Sequence, residues 1–272
     1  MATENPLGRQ VRGSTRYDPA LLFPILRSEG RARLGQGEGA LPFHGSDVWH
    51  AYELSWLEPD GRPRVSLGRI EVPADSPCMV ESKSLKLYLN ALNGSRFVSA
   101  EAVRETIAVD LSAATGGAVT VTLAALDDPA FQGVAAPGAC IDHEPFSGAA
   151  ETPGPALLRV APAGDRVEET LHSHLLRSLC PVTAQPDWAT VVVCYRGPRL
   201  DRSALLAYLV AFREQQDFHE QCVERIYLDL AAVLQPETLS VQALYTRRGG
   251  IDISPWRSSA PGEAPQYRLH RQ

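Results

Sequence analysis

One order of hydrophobic patterns (strand, strand, helix, helix, strand) runs twice along the 272 residues, and this repetition limits the fold more than any other feature. In the first copy, Trp49 to Trp56 and Val65 to Val72 alternate about Pro59-Asp-Gly61, as the arms of a hairpin do. Leu85, Leu89 and Leu92, then Val103, Ile107 and Leu111, recur at helical spacing, and Ala118 to Leu123 is strand-like. In the second copy, Val167 to Leu176 and Trp188 to Tyr195 read as strands. Helical patterns at Ser203 to Gln215 and Phe218 to Leu234 follow, then a strand from Thr238 to Tyr245. The expected class is therefore α+β, built from a duplicated unit. Between the copies, residues 129–164 hold 11 of the chain's 42 Gly and Pro and no sustained period, which predicts a connection. The expected modules are 1–128 and 165–272.

Charge and composition narrow the partners. The formal charge is 26 − 32 = −6, which argues against nucleic acid or an anionic membrane as partner. The longest apolar run, Ala204 to Phe212, is nine residues and too short to span a bilayer. MATENPLGRQ carries no signal pattern, so a cytoplasmic protein is expected. Five widely spaced cysteines without a CxxC disfavour a disulfide framework. The basic residues are 24 Arg and only two Lys, and both lysines, Lys83 and Lys86, fall within Glu81-Ser-Lys-Ser-Leu-Lys-Leu-Tyr-Leu-Asn90. A chain so biased towards Arg keeps an ammonium where a planar guanidinium would not serve, or carries two lysines there by chance.

Four segments carry candidate chemistry. Cys180 lies in Leu179-Cys-Pro-Val-Thr-Ala-Gln-Pro-Asp-Trp188, where two prolines stiffen a loop that could hold a thiol in fixed relation to Asp187. An unperturbed thiol is only about 3% thiolate at pH 7, so a nucleophilic role requires a base or a pKa depressor, and a small buried hydrophobe is the alternative. Cys78, Cys140, Cys194 and Cys222 fit that alternative. Asp217 and Glu220 have capping-box spacing, which puts His219 and Glu220 in the first turn of a helix. There Glu220 either caps or binds, and His219 caps or catalyses. Glu81, Ser82 and Lys83 stand where the first helix begins. Tyr245-Thr-Arg-Arg-Gly-Gly250 runs a strand into glycines beside two guanidiniums, including Arg248 and Gly249, and suits a phosphate. His172 and His174 alternate along a strand without a third metal ligand at their spacing. Gly35, Gly37 and Gly39 make no dinucleotide fingerprint, because no strand precedes them. These residues alone do not specify a reaction.

The segments Val80-Glu-Ser-Lys-Ser-Leu-Lys-Leu-Tyr88, Ser178-Leu-Cys-Pro-Val-Thr-Ala-Gln-Pro-Asp-Trp188, Phe218-His-Glu-Gln-Cys-Val-Glu-Arg225 and Tyr245-Thr-Arg-Arg-Gly-Gly250 resemble, in order, those of the NADPH-dependent 7-cyano-7-deazaguanine reductases. The resemblance is to the long, two-module form of these nitrile reductases and covers most of residues 5–260. It implies tandem tunnelling-fold (T-fold) modules, each an antiparallel sheet with two helices on one face. It implies reduction of the cyano group of 7-cyano-7-deazaguanine to aminomethyl with two NADPH, on the way to the tRNA base queuosine. It also implies a homo-oligomer, a dimer in the simplest case, and NADPH binding without a Rossmann module. By the same resemblance Cys180, Asp187 and His219 are catalytic, with Cys180 forming a thioimide. Val80, Glu81, Ser82, His219 and Glu220 bind the substrate, and Ser82, Lys83, Arg248 and Gly249 bind NADPH. Two rivals stand beside it: a zinc-dependent cyclohydrolase-like T-fold enzyme using Cys180, Cys222 and a histidine, and a non-catalytic binder of purine analogues.

Overall fold

Alternation in the first copy becomes a long antiparallel hairpin in the structure, a computed structural model that describes residues 16–36, 39–148, 152–162 and 165–272. Gly37 and the residues on which the export expectation rests lie outside that range. The first elements are β1 (Pro24–Leu26), α1 (Arg27–Arg33), β2 (His44–Leu57), β3 (Pro63–Pro73), β4 (Cys78–Val80), α2 (Ser82–Ala91), α3 (Ala100–Thr115) and β5 (Thr120–Ala124). β2 and β3 pair antiparallel from Ser46↔Pro73 to Leu57↔Pro63, with an irregularity between Ala51 and Leu54, and β5 adds antiparallel to β3. α2 and α3 then lay Leu85, Tyr88, Leu89, Val103, Ile107 and Leu111 on Trp49, Leu54, Ile70 and Val121 of the sheet. Helix α3 starts where Ser99 Oγ accepts from Ala102 N at 3.1 Å and stops at Gly116, whose φ of +73° few other residues adopt.

The second copy follows the same plan. Its elements are β6 (Gly133–Val134), β7 (Ala139–Cys140), β8 (Arg166–Leu179), β9 (Pro186–Pro198), α4 (Arg202–Val210), α5 (His219–Leu234), β10 (Thr238–Tyr245), β11 (Ile251–Ser258) and β12 (Arg268–Leu269). β8 and β9 pair antiparallel from Arg166↔Pro198 to Leu179↔Pro186, β10 adds antiparallel to β9, and the end of β11 pairs with β10. β7 runs parallel to β8, and β6 parallel to β12. α5 packs on β10 and α4 on β8, burying Leu205, Tyr208, Leu209, Val223, Ile226 and Leu230.

The chain divides into two compact units. One comprises the described residues before Leu41 with Ser46–Phe131 and Arg247–Ile253, and the other Leu41–Gly45, Gln132–Thr246 and Ser254–Gln272. From Gln132 onwards the Gly/Pro-rich stretch belongs to the second unit and supplies β6 and β7. Strand β11 was not predicted, because Ile-Asp-Ile-Ser-Pro-Trp-Arg-Ser breaks alternation with an internal proline and polar residues that the structure buries.

Candidate active site

The predicted site residues fall into two groups, one in each unit. In the second unit the β8–β9 hairpin turns tightly through the two-proline loop: Cys180 N donates to Gln185 O at 2.9 Å, and Ala184 N to Cys180 O at 2.9 Å. Ala184 holds a φ of +53°, a left-handed value that costs a residue with a Cβ about 1 kcal/mol or more. Ser178 pairs with Asp187 and Leu179 with Pro186, so half-buried Cys180 is the first residue beyond the paired end of the hairpin that carries Asp187. Asp187 Oδ2 in turn lies 3.1 Å from His219 Nε2, the first residue of α5. That contact is at ion-pair distance but off the line a hydrogen bond requires, and His219 Nε2 is buried without a hydrogen-bond partner. The imidazole is fixed instead by stacking on Tyr245, ring centroids 3.8 Å apart and planes 27° apart. The ring is thereby held with Nε2 beside the Asp187 carboxylate. Burial raises the Tyr245 hydroxyl well above its usual range, with Cys222 and Asp187 adding to the effect, so a neutral phenol backs the histidine.

The expected Asp217–Glu220 capping box is not formed. Phe218 is the N-cap of α5, and its N–H meets Gln221 Oε1 at 3.4 Å, while Asp217 Oδ2 faces Arg225 Nη2 at 3.6 Å. Glu220 is 4% exposed in the first turn of α5, where the positive end of the helix dipole favours a carboxylate. A buried carboxylate so placed can accept two N–H donors from a planar ring.

In the first unit the roles are reversed: Glu81 caps. Its carboxylate accepts from Lys83 N at 2.7 Å and Ser84 N at 2.8 Å, which starts α2 directly after Val80 of β4. A carboxylate has about four acceptor positions, so capping leaves capacity for a ligand. Glu81 is 1% exposed, and Ser82 stands beside it with Oγ 3.4 Å from Oε1. Lys83 and Lys86, three apart, share one side of α2. Lys86 was not among the expected site residues. The chain after β10 turns back through Arg248–Ile251, closed by Arg248 N to Ile251 O at 2.9 Å, with Gly249 and Gly250 at φ of +65° and +81°. A Cβ on Gly249 would meet Lys86 Cδ at 3.0 Å, so the lysine stem lies against bare backbone. Glu53, Lys86, Asn90, Asn93, Gly249 and Gly250 border a cleft of about 120 Å³ there. The turn is braced from beneath: Arg247 lies 4.5 Å over the Tyr52 ring, and Asp252 takes His50 Nδ1 at 2.8 Å and the Tyr52 hydroxyl. The compositional signal for Lys86 was the lysine pair itself, but its neighbour Gly249 is 163 residues away in sequence.

Among the described residues, no grouping of three His, Cys, Asp or Glu side chains close enough to share a metal includes Cys180 or Cys222. Cys222 is fully buried, and burial pushes its thiol up to about 12.

The structure shows a duplicated antiparallel α+β fold with a cysteine at a hairpin end, an acid–histidine contact and a cationic glycine turn, and comparison with known proteins supplies the class, a two-module nitrile reductase. Residues 14–123 match the family profile described as nitrile reductase, 7-cyano-7-deazaguanine-reductase N-term, and residues 186–263 match that of QueF-like protein. The NADPH-dependent 7-cyano-7-deazaguanine reductase of Chromohalobacter salexigens is 54% identical over 269 residues, 98% of this chain and 96% of the relative. The protein of that name from Azoarcus sp. (strain BH72) is 54% identical over 260 residues, 95% of this chain and 92% of the relative. Among solved structures, the archaeosine synthase QueF-Like in its apo form matches 38% of this chain at 19% identity and a TM-score of 0.31. The chain belongs to the NADPH-dependent 7-cyano-7-deazaguanine reductase family.

Proposed function

We propose that this chain reduces the nitrile of 7-cyano-7-deazaguanine to an aminomethyl group through a covalent thioimide on Cys180, supplying the aminomethyl base for queuosine synthesis. The observation that supports the reading is the contact of His219 Nε2 with the Asp187 carboxylate at 3.1 Å, at the hairpin end whose turn begins with Cys180. Cys180 adds as thiolate to the nitrile carbon, and Asp187 delivers a proton to the nitrogen that becomes anionic, so the sum of the step is S–H across C≡N. The thioimide carbon, protonated on nitrogen, is a far better hydride acceptor than the nitrile, which is what the covalent step achieves. His219, held by Tyr245, orients the reacting nitrogen and shares its proton through Nε2. When sulfur leaves again, the same acid–histidine contact holds the proton balance at nitrogen. Glu220 takes the N–H edge of the ring, Glu81 is the second recognition carboxylate, and Val80 and Ser82 contact the substrate beside it.

NADPH suits the cationic turn of the first unit. Two lysines on one side of α2, two arginines and a glycine turn packed against the Lys86 stem bring together the cations and backbone suited to phosphate oxygens. Ser82, Lys83, Arg248 and Gly249 would hold it, with Lys86 added here. NADPH supplies hydride, once for each of the two reduction stages. The reading extends to a cytoplasmic homodimer of tandem modules. Among the described residues, no helix is long and apolar enough to cross a membrane.

The deciding experiment omits NADPH. Protein incubated with the cyano base should gain the mass of the base on the peptide carrying Cys180. Cys180→Ala should lose the adduct and turnover while still binding the ring. Adduct-free protein, or normal turnover by Cys180→Ala, would overturn the thioimide. A consumption other than two NADPH per base would overturn the nitrile-to-amine assignment.

A further inference from the structure

Parallel pairing of β7 on β8 sets Cys140 opposite His172, and strand alternation puts His174 on the same face two residues on. One ligand atom from each of Cys140, His172 and His174 lies within 4.8 Å of the others, and the two rings have centroids 5.0 Å apart. From this geometry we propose that Cys140, His172 and His174 form a metal site that takes one Zn²⁺ as a Cys–His–His set, with a fourth position for water.

Each histidine is oriented as a ligand should be. His172 Nδ1 lies 2.8 Å from Pro137 O, and a carbonyl only accepts, so Nδ1 carries the proton and Nε2 the lone pair. His174 Nδ1 is engaged by Thr190 Oγ1 at 2.9 Å, which leaves its Nε2 to the metal. The backbone between them is pinned by Asp142, which accepts from Ser173 Oγ at 2.6 Å and His174 N at 3.1 Å. That carboxylate adds negative charge to the neighbourhood and offsets Arg271, whose Nη1 donates to His174 O at 2.9 Å. Tetrahedral zinc with bonds of about 2.0–2.3 Å needs ligand atoms roughly 3.3–3.6 Å apart, so the set closes by about 1 Å through side-chain rotation. Exposed Cys140 can make that adjustment. Binding converts the thiol to a zinc-bound thiolate and releases its proton to solvent, with no change of oxidation state.

Cys180 lies six residues beyond His174, just past the end of β8 and about 20 Å away at strand rise, so this zinc is not part of the nitrile chemistry. It would lock a two-residue parallel strand, weakly held by its own hydrogen bonds, onto the strand that leads to Cys180.

The test uses the full chain, stripped with chelator and reloaded with Zn²⁺ or Co²⁺, then desalted. About one metal per chain should remain, and Co²⁺ should give the thiolate-to-cobalt charge-transfer band and the visible bands of tetrahedral cobalt. Cys140→Ser and His172→Ala should lose both, whereas Cys180→Ala and Cys222→Ala should keep both. Without any substitution, Zn²⁺ should slow alkylation of Cys140 by at least about tenfold, read by peptide mass. The proposal fails if no metal is retained, if the band survives Cys140→Ser, if it is lost in Cys180→Ala instead, or if Zn²⁺ leaves Cys140 alkylation unchanged.

Discussion

Cys222 lies wholly inside the packed face of α5, and burial, with the charge of Asp217 adding, raises its thiol from an ordinary value near 9 to about 12. It is therefore a neutral packing group at working pH, in contrast to half-buried Cys180 at a strand end. The raised value has a definite sign in stability. Below pH 9 both folded and unfolded chains hold the proton and the contribution is complete. Between pH 9 and 12 the unfolded chain ionises first, and stability falls by about 1.4 kcal/mol per pH unit. Cys222→Ala loses packing at every pH but also loses this slope. The stability gap between wild type and variant, from urea unfolding, should thus narrow by about 1 kcal/mol between pH 8 and pH 10. A constant gap would mean that the thiol ionises alike in both states. Asp187→Asn addresses the other end of the same cluster. An amide cannot give a proton to nitrogen, so kcat should fall by about 10²–10⁴ while KM for the cyano base changes little. A loss confined to KM would make Asp187 a binding residue.

Strand β11 shows why one element escaped the sequence. The hairpin arms and all four long helices declare themselves, because one face of each is apolar and the period of 2 or 3.6 survives in the residues. In β11 every residue is buried, including Asp252, Ser254, Arg257 and Ser258, and Pro255 interrupts it. A strand buried on both faces can carry polar residues only where other segments bring partners, and those partners lie far off in sequence. Ser254 Oγ receives Gln272 Nε2 at 3.0 Å, and Arg257, 0% exposed, meets Glu224 of α5 through Nη2 at 2.9 Å and Nε at 3.2 Å. The guanidinium also donates to Trp256 O at 2.9 Å and lies 5.5 Å over the Phe43 ring. Glu224→Ala would leave that cation in a dry interior without its carboxylate. It should therefore destabilise the protein by about 3–5 kcal/mol in urea unfolding, far more than removal of an exposed glutamate. Replacing both residues by apolar ones of similar size should recover most of the loss.

At the scale of the whole chain, the duplication was legible because each copy repeats its periodicities, and the four candidate segments could be picked out because each is contiguous in sequence. Strand register and chain return were not. Lys86 meets Gly249, and Cys140 meets His172, only through pairings that no local pattern encodes. The same returns govern how the chain can be cut. The first unit includes Arg247–Ile253, a segment that follows most of the second unit in sequence. Ile251 and Ile253 belong to the first unit's apolar core at 5% and 6% exposure, each contributing about 1.5–3 kcal/mol. Asp252 is the acceptor for His50 and for the Tyr52 hydroxyl, and its absence would leave two buried polar groups at about 1–3 kcal/mol each. Together these reach about 5–12 kcal/mol, comparable to the roughly 5–15 kcal/mol that holds a whole domain folded. A fragment of residues 1–131 should accordingly lack a cooperative urea transition and the near-ultraviolet dichroism of packed tryptophans. Supplying residues 247–253 through a flexible linker at its end should restore both. A cooperative transition in the bare fragment would show that the returning segment is dispensable to the first unit's core.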